Sequence, residues 1–128
     1  MTDDSDFSLA FSRARGKVVV DIHGPLDAGN ARELKDRLVD VIDGQGNRQL
    51  VLDLARTTRI DSAGLSVLVD ALKRMQKTGG RIVLSGPTCQ VARALAVAGL
   101  DKVFTITPSW THPARGGRTH LGRPAGWN

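Results

Sequence analysis

At 128 residues the chain is long enough for one packed core and too short for two domains of ordinary size. Hydrophobic residues make up 41% and charged residues 24%; no apolar run nears the ~20 residues of a membrane span, and the single cysteine, Cys89, excludes an internal disulfide and any multi-cysteine metal site. Of the net charge of +5, three charges come from Arg115, Arg118 and Arg123 in an acid-free tail, and there is no Tyr, which argues against direct nucleic-acid binding on a folded face.

The chain opens on Met1-Thr2-Asp3-Asp4-Ser5-Asp6, acidic where a signal peptide is basic and then apolar, so residues 1–6 are expected to be a disordered N-terminus of a cytoplasmic protein. Phe7, Leu9 and Phe11 alternate with small or polar residues, the period of a half-buried strand, and Arg15-Gly16 has the composition of a hairpin turn. A second strand runs from Lys17 to His23 through Val18-Val19-Val20 and stops at Gly24-Pro25. Asn30 and Glu33 have capping-box spacing. Behind them Ala31, Leu34, Leu38, Val41 and Ile42 repeat at helical intervals up to Gly44-Gln45-Gly46.

Leu50 to Leu54 makes a third strand, followed by a polar stretch from Ala55 to Arg59. A second helix spans about Ser62 to Lys77, with Leu65, Leu68, Val69, Leu72 and Met75 as its apolar stripe. Ile82 to Leu84 forms a fourth strand. Thr88 caps a third helix bearing Val91, Ala94, Leu95 and Ala98, which ends at Gly99, and Val103, Phe104 and Ile106 supply a fifth strand or a last short element. Strands alternating with helices predict one α/β domain over residues 7–107, a mixed and mostly parallel sheet of about five strands with a leading antiparallel β-hairpin. Residues 108–128 lack periodicity and are expected to be a disordered basic tail, Trp110 and Trp127 notwithstanding.

Open α/β sheets bind their ligands beyond the carboxyl ends of the strands. Three segments meet that edge: His23-Gly24-Pro25-Leu26-Asp27, Arg59-Ile60-Asp61-Ser62-Ala63-Gly64-Leu65 and Ser85-Gly86-Pro87-Thr88. Ser62 stands at the start of the second helix, where either it or Asp61 can serve as the cap. A helix N-terminus also stabilises added negative charge, so a phosphate of about −1.5 to −2 charges on Ser62 leaves the helix intact while changing the surface. Ala63 and Gly64 are small enough to leave the hydroxyl accessible.

Ile60-Asp61-Ser62-Ala63-Gly64-Leu65, Gly24-Pro25-Leu26-Asp27 upstream and Ala98-Gly99-Leu100-Asp101-Lys102-Val103-Phe104 downstream resemble the STAS family of bacterial anti-sigma-factor antagonists. The resemblance runs from about residue 7 to 107. It implies that Ser62 is phosphorylated by an anti-sigma factor that is itself a serine kinase. The unphosphorylated form would bind that kinase and release a sigma factor, and phosphorylation would break the complex. It further implies partner contact through Asp27, Asp61, Ser62, Ala63, Gly64 and Leu65, a phosphatase that resets the switch, no cofactor and no metal. Two departures stand out: Pro25 replaces a Glu common in the family, and Ala63 replaces a second hydroxyl residue, which leaves Ser62 the sole acceptor in the motif.

The expected assembly is a monomer or weak dimer with no direct nucleic-acid contact and no membrane insertion. The alternative is a STAS subunit of a stress-sensing complex or of a membrane transporter ATPase. Enzyme readings fit less well. A Ser62–His23–Asp61 hydrolase lacks the glycine two residues before the serine, where Ile60 stands. An aspartyl-phosphate domain built on Asp53 needs clustered carboxylates, and Asp21 is expected to lie inside its strand, apart from any acidic pair.

Overall fold

A computed structural model describes residues 7–14, 17–45 and 49–108. The anticipated disordered ends at 1–6 and beyond Pro108, the Arg15-Gly16 turn and the Gly46 helix stop lie outside these residues, Pro108 itself excepted. Six strands and three helices follow in the order β1 (Ser8–Ala14), β2 (Lys17–Leu26), α1 (Ala28–Gln45), β3 (Gln49–Asp53), β4 (Thr57–Ile60), α2 (Ser62–Lys77), β5 (Arg81–Ser85), α3 (Cys89–Val97) and β6 (Thr105–Thr107), with a 3₁₀ turn at Leu100–Lys102 before β6. The sheet order is β1-β2-β3-β5-β6. Only the β1–β2 pair is antiparallel, and the pairs to β3, β5 and β6 are parallel.

The strand missed in the sequence is β4. It pairs with the far end of β2, Gly24 opposite Thr57 and Leu26 opposite Ile60, where β2 has run past the last residue of β3. Gly24-Pro25 therefore does not stop β2. Gly24 takes φ 95, open to a residue without Cβ, and donates its N–H to Arg56 O at 3.0 Å. Pro25 falls in the register shift between the two paired residues, where a missing N–H disrupts no ladder bond. Thr57 anchors the addition: it is fully buried and its hydroxyl donates to Ile22 O at 2.9 Å.

α1 also begins earlier than Asn30. The Asp27 carboxylate accepts from Gly29 N at 3.0 Å and its carbonyl accepts from Ala31 N at 2.8 Å, so Asp27 caps the helix. Asn30 instead donates through Nδ2 to Pro25 O at 2.8 Å, tying the first turn back to β2. Thr88 caps α3 as expected, its hydroxyl accepting from Val91 N at 3.2 Å. The buried face of α2 is rotated from the expected stripe. Gly64, Val67, Leu68, Ala71 and Met75 face the core, and Leu65, Val69 and Leu72 are only partly buried. Small residues at Gly64 and Ala71 let the helix approach the sheet closely, an effect invisible to hydrophobic weighting.

Candidate functional site

The amino ends of α1 and α2 lie together beyond the carboxyl ends of β2 and β4, and Asp61 joins them. As N-cap of α2, with φ −116 and ψ −171, its carboxylate accepts from Ala63 N at 2.9 Å and Gly64 N at 3.2 Å. The second oxygen accepts from Ala28 N, the first residue of α1, at 3.3 Å. One carboxylate thus satisfies orphan amides of two helices at once. Its own amide donates to Leu26 O at 3.3 Å, which fixes the turn from β4 against the end of β2.

Gly64 sits one turn in and is buried. A Cβ there would lie 2.5 Å from Leu26 O and 2.8 Å from Leu26 Cγ and Ile60 Cγ1. Its missing side chain thus serves the seating of α2 on β2, a packing role beyond the accessibility of the serine hydroxyl that was expected of it. Because Asp61 performs the capping, Ser62 is not needed for it. Ser62 occupies the first helical position, is exposed, and contributes its carbonyl, which accepts from Ser66 Oγ at 2.9 Å. Among the described residues its hydroxyl makes no hydrogen bond.

Across from it, Asp27 is held from two sides. One oxygen caps α1; the other accepts from Arg59 Nη2 at 3.0 Å. Arg59 is the functional candidate that motif reading passed over. It precedes the motif by one residue, and the only available signal was a cation placed among the acidic residues of two facing loops. The structure therefore brings Asp27, Asp61, Ser62 and Arg59 to one patch carrying two engaged carboxylates, one guanidinium and one exposed hydroxyl. Ala63 and Leu65 flank it, both half-buried. From Ser62 an open groove of about 490 Å³ runs along α2 past Leu65, Val69 and Lys73 to Ala98 and Leu100. Val97 and Val103 are exposed at 83% and 55%.

The remaining sequence candidates lie elsewhere. His23 approaches Asp21, with Nε2 3.3 Å from Oδ1, on its own strand. Asp53 is buried and accepts from Ala55 N at 3.0 Å. Asp21 does not stand apart from it, as had been expected. The two are register partners on β2 and β3, because β2 extends well beyond the point where β3 ends. Among the described residues no group of three or more His, Cys, Asp or Glu converges to hold a metal ion, and no helix is long and apolar enough to cross a membrane.

Comparison with known proteins points the same way as the motif. The family model of the STAS domain matches residues 10–112. BtrV of Bordetella bronchiseptica, named for an anti-sigma factor antagonist role, is 29% identical over 115 residues, 90% of this chain and 98% of that protein. A crystal structure of an anti-sigma factor antagonist from Mycobacterium paratuberculosis superposes with TM-score 0.72 at 25% identity, covering 85% of this chain and 92% of that one. The unphosphorylated form of the Bacillus anti-sigma factor antagonist SpoIIAA, at TM-score 0.69 and 20% identity over 79% of this chain and 87% of that one, shares the fold; a phosphorylated form of SpoIIAA is also known. A match over most of the chain, the sheet order and the serine at the mouth of α2 agree: the chain belongs to the STAS domain family.

Proposed function

We propose that this protein is a cytoplasmic anti-sigma-factor antagonist switched at Ser62. Unphosphorylated, it binds an anti-sigma factor that is a serine kinase and so frees a sigma factor; phosphorylation of Ser62 by that kinase ends the complex, and a phosphatase restores it. The observation that carries the reading is the division of labour at the start of α2. Asp61 satisfies the helix amides, which leaves the adjacent hydroxyl exposed and without a structural duty. A group can be added to it at no cost to the cap.

Electrostatics gives the switch its direction. The α2 amino terminus stabilises an anion by ~0.3–1 kcal/mol, so the phosphorylated domain stays folded. The same phosphate brings about −1.5 to −2 charges beside Asp61 and close to the Asp27 loop. A partner that covers this patch must desolvate the added charge beside existing carboxylates, and without a cation opposite that costs several kcal/mol. Because 1.4 kcal/mol is already tenfold in affinity, one phosphate suffices. Leu65 and the groove beside Ser62 offer the apolar contact that the unmodified face needs.

Affinity capture from native lysate with wild type, Ser62→Ala and Ser62→Asp tests the reading. Ser62→Ala is expected to retain a small ATP-binding kinase that phosphorylates the wild type, and Ser62→Asp to lose it. Equal recovery by both variants, or recovery of a transport ATPase in place of a kinase, rejects it.

A further inference from the structure

Arg59 and Asp61 leave the end of β4 on the same side. Side chains two residues apart in extended backbone share a face, and the contacts agree. Asp61 Oδ2 accepts from Ala28 N at 3.3 Å, and Arg59 Nη2 donates to Oδ2 of the adjoining Asp27 at 3.0 Å. Arg59 lies in the last half of β4, Asp61 continues extended at φ −116 and ψ −171, and the exposed Ser62 follows. The guanidinium is therefore held where the first turns of α1 and α2 meet. Three residues separate it from Ser62, at most ~10 Å of chain, a gap that an arginine and a phosphoserine side chain close between them.

Arg59 is lightly held. Its side chain is half exposed, and among the described residues it makes one hydrogen bond, through one nitrogen. Arg74, farther along α2, shows the contrast: Nε donates to Asp70 at 2.9 Å and Nη1 to Asp43 at 3.4 Å. A single exposed ion pair is worth ~0–1 kcal/mol. A phosphate on Ser62 offers the same guanidinium about −1.5 to −2 charges and three acceptor oxygens, enough to take two N–H groups side by side. Asp27 offers one charge, and its other oxygen is already engaged by Gly29 N. The phosphate is the stronger partner.

We propose that phosphorylation of Ser62 moves the Arg59 guanidinium from Asp27 to the phosphate, so that one modification alters both loops of the patch. This rests on the assignment of Ser62 as the phosphorylated residue. The cap of α1 survives the move, because Oδ1 and the carbonyl of Asp27 hold the first turn, not Oδ2. The summed charge of the patch is the same wherever the guanidinium sits; its placing is not. After the exchange the phosphate is braced at the mouth of α2, and Asp27 Oδ2 is left bare at the mouth of α1. A partner that recognises the Arg59–Asp27 pair of the unmodified protein no longer finds it. Arg59 is thus a positioning residue that carries the state of Ser62 to the Asp27 loop.

Full-length protein with phosphoserine incorporated at position 62 during translation reads the exchange without any kinase. A wild type never phosphorylated on Ser62 in its native cell would reject the switch; the exchange is judged separately, by the spectra of this prepared phosphoprotein. In the unmodified chain Asp27→Asn, which keeps a capping oxygen, is expected to shift the Arg59 Nε–Hε NMR signal. In the phosphorylated chain the same substitution is expected to leave that signal in place. Arg59→Gln is expected to raise the second ionisation midpoint of the phosphate, followed by phosphorus NMR, by about one pH unit, because a neighbouring cation favours the dianion; circular dichroism stays unchanged. An Arg59 signal that still responds to Asp27→Asn after phosphorylation, or a phosphate midpoint indifferent to Arg59→Gln, overturns the proposal.

Discussion

Asp61→Ala removes the residue that joins the two helix ends and separates its structural duty from that of Ser62. The substitution deletes the acceptor for Ala63 N and Gly64 N, and with it the cap of α2, worth ~1 kcal/mol. It also removes a negative charge from the amino end of α2, ~0.3–1 kcal/mol. The bond from Ala28 N at 3.3 Å is long and exposed, and its loss adds ~0.5 kcal/mol. The expected total is about 2 kcal/mol. At roughly 4–8 °C per kcal/mol for a domain of this size, that lowers Tm by about 10 °C. Asn at the same position keeps an acceptor oxygen and caps as well as Asp, so Asp61→Asn is expected to lose less than half as much. Urea unfolding followed by far-UV circular dichroism measures both. An Asp61→Ala variant within ~0.5 kcal/mol of wild type, or one indistinguishable from Asp61→Asn, refutes the bridging role.

Gly64→Ala forces a Cβ to 2.5 Å from Leu26 O, a backbone atom that cannot rotate away, and is expected to cost ~2–3 kcal/mol in urea unfolding. Thr57→Val keeps the shape but leaves Ile22 O without its buried donor; the expected loss is ~1–2 kcal/mol, read from the denaturation midpoint. Arg59→Ala breaks only a solvent-exposed ion pair, so stability is expected to change by less than ~1 kcal/mol. Its effect belongs in partner affinity measured by titration calorimetry, because Asp27 loses the guanidinium that positions it.

The parts of the fold that bury large side chains were legible in the sequence. The runs Val18–Val20, Leu50–Leu54 and Ile82–Leu84 became the central strands, and Leu34, Leu38 and Ile42 became the buried face of α1. What escaped depends on contacts between distant segments. β4 is four residues of mixed polarity held by a ladder to the end of β2, one buried hydroxyl and packing against α3, all contacts between segments far apart in the chain. Asn30 and Glu33 imitate a capping box; Asp27 wins because Asn30 is drawn to Pro25 O. The face of α2 was misjudged because Gly64 and Ala71 carry the close approach while the larger Leu65 and Val69 stay at the rim of the groove. At the site, the motif singled out Asp27, Asp61 and Ser62, which the fold places at the adjoining ends of α1 and α2. It could not assign the cap between Asp61 and Ser62, since both are good capping types, nor pair Arg59 with a carboxylate 32 positions away.

The switch itself is tested most directly by calorimetric titration of the purified kinase partner with this protein in two forms, unmodified and stoichiometrically phosphorylated at Ser62. Unmodified protein is expected to bind, and the phosphorylated form to bind at least tenfold more weakly, a loss of ~1.4 kcal/mol or more, with its circular dichroism spectrum unchanged. Equal dissociation constants for the two forms contradict the account.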